Sequence, residues 1–189
     1  MSLSHIHIAH SYWKSFLCKG DHIIDATCGN GHDALALAKM VLTEESGSLI
    51  CLDRQFEAIT NTSAQLKENL SPPLFSRIAL HQMCHSTFPT ITQPLKLIVY
   101  NLGYLPGGDK EITTQTGSTL ISLQEGLKLL TTNGIISMTC YPGHEEGNNE
   151  EKAILEWAAT LHPNHYVIYY TQRLNRINPP SLLLIQKTI

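Results

Sequence analysis

His22-Ile23-Ile24-Asp25-Ala26-Thr27-Cys28-Gly29-Asn30-Gly31-His32-Asp33-Ala34 is the stretch whose reading decides the fold of this chain. It opens with a short apolar run, His22 to Thr27, that ends in small polar residues and has the character of a buried strand. The chain turns through Gly29-Asn30-Gly31. It then enters Asp33 to Val41, where Ala34, Leu35, Ala36, Leu37, Ala38 and Lys39 give a helical composition. Strand, glycine turn and helix in immediate succession are the first half of a βαβ unit.

The same alternation continues outward. Gly47-Ser48 opens a second strand, Leu49-Ile50-Cys51-Leu52, which ends at Asp53. Gln55 to Asn69 carries a helical pattern that Pro72-Pro73 stops. A third strand is predicted over Arg77 to Gln82, and a fourth over Leu95 to Tyr100, ending at Asn101. After a loop rich in Gly and Pro, a helix is expected from Ser118 to Leu130. Asn133-Gly134 then turns the chain into a fifth strand, Ile135 to Cys140. Asn149 to Leu161 reads as a helix, His165 to Thr171 as a sixth strand and Leu182 to Gln186 as a seventh. Alternating strands and helices predict right-handed βαβ units and a mostly parallel sheet covered on both faces. Only Gln172 to Ser181 separates the last two strands. That is too short for a packed crossover helix, so they should pair antiparallel. The expected architecture is α/β and Rossmann-like, a seven-stranded, mostly parallel sheet with an antiparallel last strand, as in class I methyltransferases. A nicotinamide-binding domain would usually continue the parallel alternation.

The bulk properties agree with this. A chain of 189 residues with 42% hydrophobic and 15% charged residues suits one globular domain, expected to span residues 1–189. No apolar stretch is long enough to span a membrane, and Met1 to His10 lacks the basic start and apolar run of a signal peptide. A cytoplasmic location is therefore expected. The five cysteines are scattered with no C-x-x-C pair, so neither a disulfide framework nor a zinc knuckle is indicated. His81, Cys84 and His85 form the densest metal-like group, but their spacing matches no zinc pattern, and no metal is expected. A net charge of -3 argues against sequence-blind coating of nucleic acid. It leaves room for a local basic patch, for which Lys14, Lys19, Arg173, Arg176 and Lys187 are candidates.

Open α/β sheets bind ligands at the carboxyl ends of their strands. Here those ends read Asp25 to Gly31, then Asp53, then Asn101-Leu102-Gly103-Tyr104. Gly29-Asn30-Gly31-His32-Asp33-Ala34 also fits the loose G-x-G-x-x-G/A dinucleotide pattern, so the glycines alone decide little. Charge decides more. A dinucleotide loop presents helix-start amides to an anionic pyrophosphate, which Asp25 and Asp33 would repel. S-adenosylmethionine carries no phosphate and two positive groups, and acids around this turn favour it as the cofactor. Asp53 ends the second strand at about the ~20-residue spacing expected of a carboxylate on ribose hydroxyls; a plain helix-capping aspartate is the alternative. Asn30 in the turn and Gln55 at the start of the next helix join the cofactor-binding candidates. His85 and Ser86, beyond the third strand, are placed for the adenine, with a plain loop role as the alternative.

Asn101-Leu102-Gly103-Tyr104 leads into Leu105-Pro106-Gly107-Gly108-Asp109-Lys110. Its spacing is similar to the [Asn/Asp]-Pro-Pro-[Tyr/Phe] corner of amino-group methyltransferases, with Leu102-Gly103 replacing Pro-Pro. In-line methyl transfer asks an enzyme chiefly for orientation. An amide oxygen and a backbone carbonyl can accept an amine's N–H bonds, and an aromatic such as Tyr104 can stack on a base. A strand-end asparagine with a surface tyrosine is the alternative. Tyr141-Pro142-Gly143-His144-Glu145-Glu146-Gly147 follows the fifth strand on the same edge. His144 or Glu145 could take the proton an ammonium substrate must lose. Equally, these acids could solvate and cap a helix beginning at Asn148 or Asn149.

Asp25 to Asp33, Asn101 to Lys110 and Tyr141 to Gly147 together resemble a small bacterial family labelled rRNA methylases, over nearly the whole chain. The resemblance implies a class I fold and S-adenosylmethionine as methyl donor. Despite the label, it implies as substrate the 5-aminomethyl group of tRNA wobble uridine, giving 5-methylaminomethyluridine. Family members commonly carry Thr where this chain has Ala34. With no separate RNA-binding domain expected, the catalytic domain itself, as a possible homodimer, would hold the tRNA. An rRNA base or small-molecule methyltransferase is the nearest alternative. A nucleotide-binding oxidoreductase or a non-catalytic binding module is a more distant one.

Overall fold

A computed structural model describes residues 4–103 and 114–189. The described strands are β1 (His22–Asp25), β2 (Ser48–Asp53), β3 (Ile78–Gln82), β4 (Leu95–Asn101), β5 (Leu130–Cys140), β6 (Tyr166–Gln172) and β7 (Ser181–Lys187). They form one seven-stranded sheet in the order β3-β2-β1-β4-β5-β7-β6. β1 to β5 run parallel, and β7 inserts between β5 and β6, antiparallel to both. Strand order reverses between β1 and β4, so the switch point falls at the glycine turn that follows β1.

The helices are α1 (His5–Phe16), α2 (His32–Val41), α3 (Phe56–Asn69), α4 (Pro72–Phe75), α5 (Thr116–Leu129) and α6 (Glu145–Ala159). Successive residues of the central strands feed opposite cores. Ile23, Leu97 and Val99 pack with Leu37, Val41 and Trp13 of α2 and α1. Ile24, Ile98 and Tyr100 pack with Leu123, Leu127 and Ile154 of α5 and α6. Burial on both faces is why these strands read as unbroken apolar runs. Among the described residues, no helix is long and apolar enough to cross a membrane.

The departures from expectation have local causes. α1 was not anticipated, because only its Ala9 and Trp13 are buried and the rest of the segment is rich in His and Ser. The Ser4 side chain accepts the His7 N–H at the helix start, and the Trp13 indole donates to Ser137 of β5 at 2.9 Å. Pro72-Pro73 does end α3, but also begins α4, where a first-turn proline loses no helical bond. α6 starts four residues before the expected Asn149, because His144 caps it by accepting the Gly147 N–H at 3.1 Å. β5 already begins at Leu130. Asn133-Gly134 lies within a register shift of the β4–β5 ladder rather than before the strand, with Asn133 at φ 60°.

Candidate active site

The turn after β1 is stitched to both neighbouring strands. Ala26 N–H donates to Val99 O at 2.9 Å and Cys28 N–H to Leu52 O at 3.0 Å. Gly29 and Gly31 have φ of 51° and 82°, left-handed values that glycine adopts without strain. Gly31 also meets α3 closely, since a Cβ there would lie 2.9 Å from Thr62 Cα. Thr62 Oγ1 donates to Gly29 O at 2.9 Å, and Asn61 Nδ2 donates to Asn30 Oδ1 at 3.0 Å, so α3 braces the turn.

Three carboxylates surround it. Asp25 is fully buried, with Oδ1 accepting the Thr27 N–H at 3.3 Å and Oδ2 unpartnered. Burial, then the negative charge of Asp33, and less strongly that of Asp53, raise its pKa well above the ordinary carboxylate value. Asp53 Oδ2 accepts the Gly29 N–H at 3.0 Å and Oδ1 the Gln55 N–H at 3.0 Å. Gln55 is the residue before α3, and it meets Asp53 through its backbone N–H. Asp33, in the first turn of α2, has both oxygens engaged: Oδ1 with His10 Nε2 at 2.7 Å, Oδ2 with Asn101 Nδ2 at 2.9 Å. An orphaned buried carboxylate oxygen beside two further acids fits a cofactor bearing an ammonium and a sulfonium and repels a pyrophosphate. The residues present suit S-adenosylmethionine.

Asn101 lies beside this turn, its backbone N–H donating to Thr27 Oγ1 at 2.7 Å. Tyr104 lies outside the described residues. The chain on either side of residues 104–113 is joined: Thr114 N–H donates to Gly103 O at 3.1 Å, and Gly103 N–H to Thr114 Oγ1 at 3.0 Å. Thr114 and Thr119 donate in turn to the two oxygens of buried Glu150 of α6, at 2.6 and 2.7 Å. From the next strand end, the Tyr141 hydroxyl meets His5 Nε2 at 3.1 Å, and burial pushes its pKa up to about 12.

The candidates do not all point the same way. His144 uses Nδ1 to cap α6, which engages that nitrogen's lone pair, and Glu145 is exposed in the first helical turn. The His85 ring is 4% exposed and turned toward the α5 side, edge-on to Tyr100 and 3.4 Å from Thr119 Oγ1. Burial, with the Arg54 charge adding to it, lowers its pKa to about 4. Ser86 Oγ donates to Cys84 Sγ. Lys19 Nζ donates to the Lys39 and Leu42 carbonyls, and Lys187 Nζ to the Leu130 carbonyl. Arg173 and Arg176 are exposed on the β6–β7 connection, beside a cleft of about 390 Å³ that Pro142 also lines. Sequence reasoning missed His10, His5 and Thr27. Each acts through a partner remote in the chain, so no local pattern carried it.

A class I, S-adenosylmethionine-dependent methyltransferase is what this sheet order and this strand-end site define. The family model described as "Putative rRNA methylase" matches residues 49–187, and the chain belongs to that family. It is 34% identical over 186 residues to the chloroplastic tRNA (mnm(5)s(2)U34)-methyltransferase of Arabidopsis thaliana, covering 95% of this chain and 68% of the plant protein. A Clostridium thermocellum structure bearing the family's name superposes with a TM-score of 0.92 at 34% identity, covering 99% of each chain. A Streptococcus mutans methyltransferase structure in complex with SAH gives a TM-score of 0.85 at 29% identity, again covering 99% of each.

Proposed function

We propose that this chain methylates the primary amine of the 5-aminomethyl group on tRNA wobble uridine, giving 5-methylaminomethyluridine. The observation that carries the reading is the hydrogen bond from Asn101 N–H to Thr27 Oγ1 at 2.7 Å, which joins an amide-bearing corner directly to the cofactor turn. When bound, S-adenosylmethionine supplies a methyl group activated by its sulfonium. Asp25, Asp53 and the glycine turn would hold the donor. The Asn101 amide oxygen would accept an N–H of the acceptor amine and aim its lone pair at the methyl carbon. The new C–N bond forms as the C–S bond breaks, and the product amine loses a proton to water or a nearby base.

The name of the plant relative supports tRNA over rRNA. Exposed Arg173 and Arg176, on the connection that enters β7 opposite Cys140, lie at the strand-end edge where an RNA backbone would pass. One domain would thus bind both cofactor and RNA. The test is incubation of the purified protein with labelled S-adenosylmethionine and, separately, tRNA carrying the unmethylated aminomethyl group and rRNA, followed by nucleoside mass spectrometry. Label in 5-methylaminomethyluridine is expected. Label in rRNA alone overturns the substrate and leaves the cofactor site standing.

A further inference from the structure

Asn101 can orient an amine only if the correct end of its amide faces the substrate. An asparagine side chain is nearly symmetric in shape, and a half-turn would present N–H donors where an acceptor is needed. Among the described residues, one group decides between the two orientations. Asn101 Nδ2 donates to Asp33 Oδ2 at 2.9 Å, and the half-turn would set amide oxygen against carboxylate oxygen at that separation. With Nδ2 held, Oδ1 is the end left to accept.

Asp33 is fixed in its turn. Its Oδ1 accepts from His10 Nε2 at 2.7 Å, so neither oxygen is without a partner. The His10 ring packs on the Trp13 ring, with centroids 4.7 Å apart, and the Trp13 indole is anchored to buried Ser137 of β5. A continuous chain of contacts thus runs from the sheet interior through α1 to the amide of Asn101.

We infer that Asp33, held by His10, is a positioning residue for Asn101 and not a ligand of the cofactor's ammonium. This rests on the reading that Asn101 orients the acceptor amine. It gives α1 a function: the helix carries the donor that sets Asp33.

The test combines calorimetry with SAH, single-turnover methylation of aminomethyl-bearing tRNA, and the side-chain amide resonances of ¹⁵N-labelled protein. Asp33→Ala is expected to slow the chemical step about ten- to a hundredfold, the equivalent of one charge-assisted hydrogen bond. SAH affinity should change less than about threefold, because the loss belongs to orientation in the transition state. Asp33→Asn keeps an amide oxygen that can accept from Asn101 and should recover much of the rate. His10→Gln, which retains a donor, should do better than His10→Ala. Asp33→Ala should add nothing in an Asn101→Ala background, since residues acting through one another are not additive. The Asn101 amide protons, assigned by their loss in Asn101→Ala, should be protected in the wild type and exchange freely in Asp33→Ala.

A tenfold loss of SAH affinity in Asp33→Ala, additive rates in the double variant, or unchanged amide exchange would each overturn the inference. A wild-type protein inactive on this tRNA would instead defeat the proposed substrate, and the amide exchange would still decide whether Asp33 locks Asn101.

Discussion

Replacing Asp53 by Ala separates two roles that this carboxylate combines. Its two oxygens accept the Gly29 and Gln55 N–H groups, each at 3.0 Å, tying the glycine turn to the start of α3. A hydrogen bond to a charged acceptor contributes roughly 1.5–3 kcal/mol. Asp53 is only half-buried, so water can replace part of each bond, and a combined loss of about 2 kcal/mol is expected. For a chain of this size that lowers the melting temperature by about 4–8 °C. Each carboxylate oxygen retains a lone pair for a ribose hydroxyl, so the same substitution should weaken SAH binding by about ten- to a hundredfold. A tenfold loss makes the stabilisation by a fixed SAH concentration about 1.4 kcal/mol smaller, or about 3–6 °C. Thermal melting of wild type and variant, with and without SAH, reads both effects, and calorimetry measures the affinity directly. A lower apo melting temperature with an undiminished SAH shift would refute the reasoning and leave Asp53 as a brace for the turn alone. Asp53→Asn, which keeps one acceptor oxygen, should regain part of the apo stability while remaining weak for SAH.

Asp25 should show the opposite trade. Its folded-state pKa is raised, so ionisation opposes folding above the unfolded value of 3.8, and Asp25→Asn should melt at or above wild type at pH 7. That advantage should vanish toward pH 4 while SAH binding weakens at neutral pH; a variant that melts lower at pH 7 and binds SAH normally would refute the assignment. Burial holds the His85 imidazole at a pKa of about 4 in the folded chain, against an ordinary value of 6.5, so the unfolded chain takes up a proton the folded chain refuses. Stability should fall by up to about 3 kcal/mol as pH drops from 6.5 to 4, and His85→Gln should flatten that limb of a denaturation series; an unchanged pH profile would show that burial does not exclude the proton.

Much of the molecule was legible in the chain itself. The seven strands, their alternation with α2, α3, α5 and α6, and the antiparallel β6–β7 pair follow from hydrophobic runs, punctuation and the shortness of the last connection, all of them local signals. The acids around the glycine turn were legible for the same reason, because charge and turn chemistry lie within a few residues of one another. α1 was not, since a helix that buries only Ala9 and Trp13 carries too narrow an apolar stripe to stand out. Nor could the sequence show that His144 caps α6, that the His85 ring turns inward, or that Lys19 and Lys187 bond to backbone carbonyls. Those outcomes depend on side-chain direction, which the sheet and its covering helices impose. The sharpest case is Asp33. Its sequence neighbours place it in the first turn of α2, close enough to the glycine turn to suggest a cofactor ligand. Only the folded chain sets it between His10 and Asn101, 23 and 68 residues away, where packing and geometry give its two oxygens different partners.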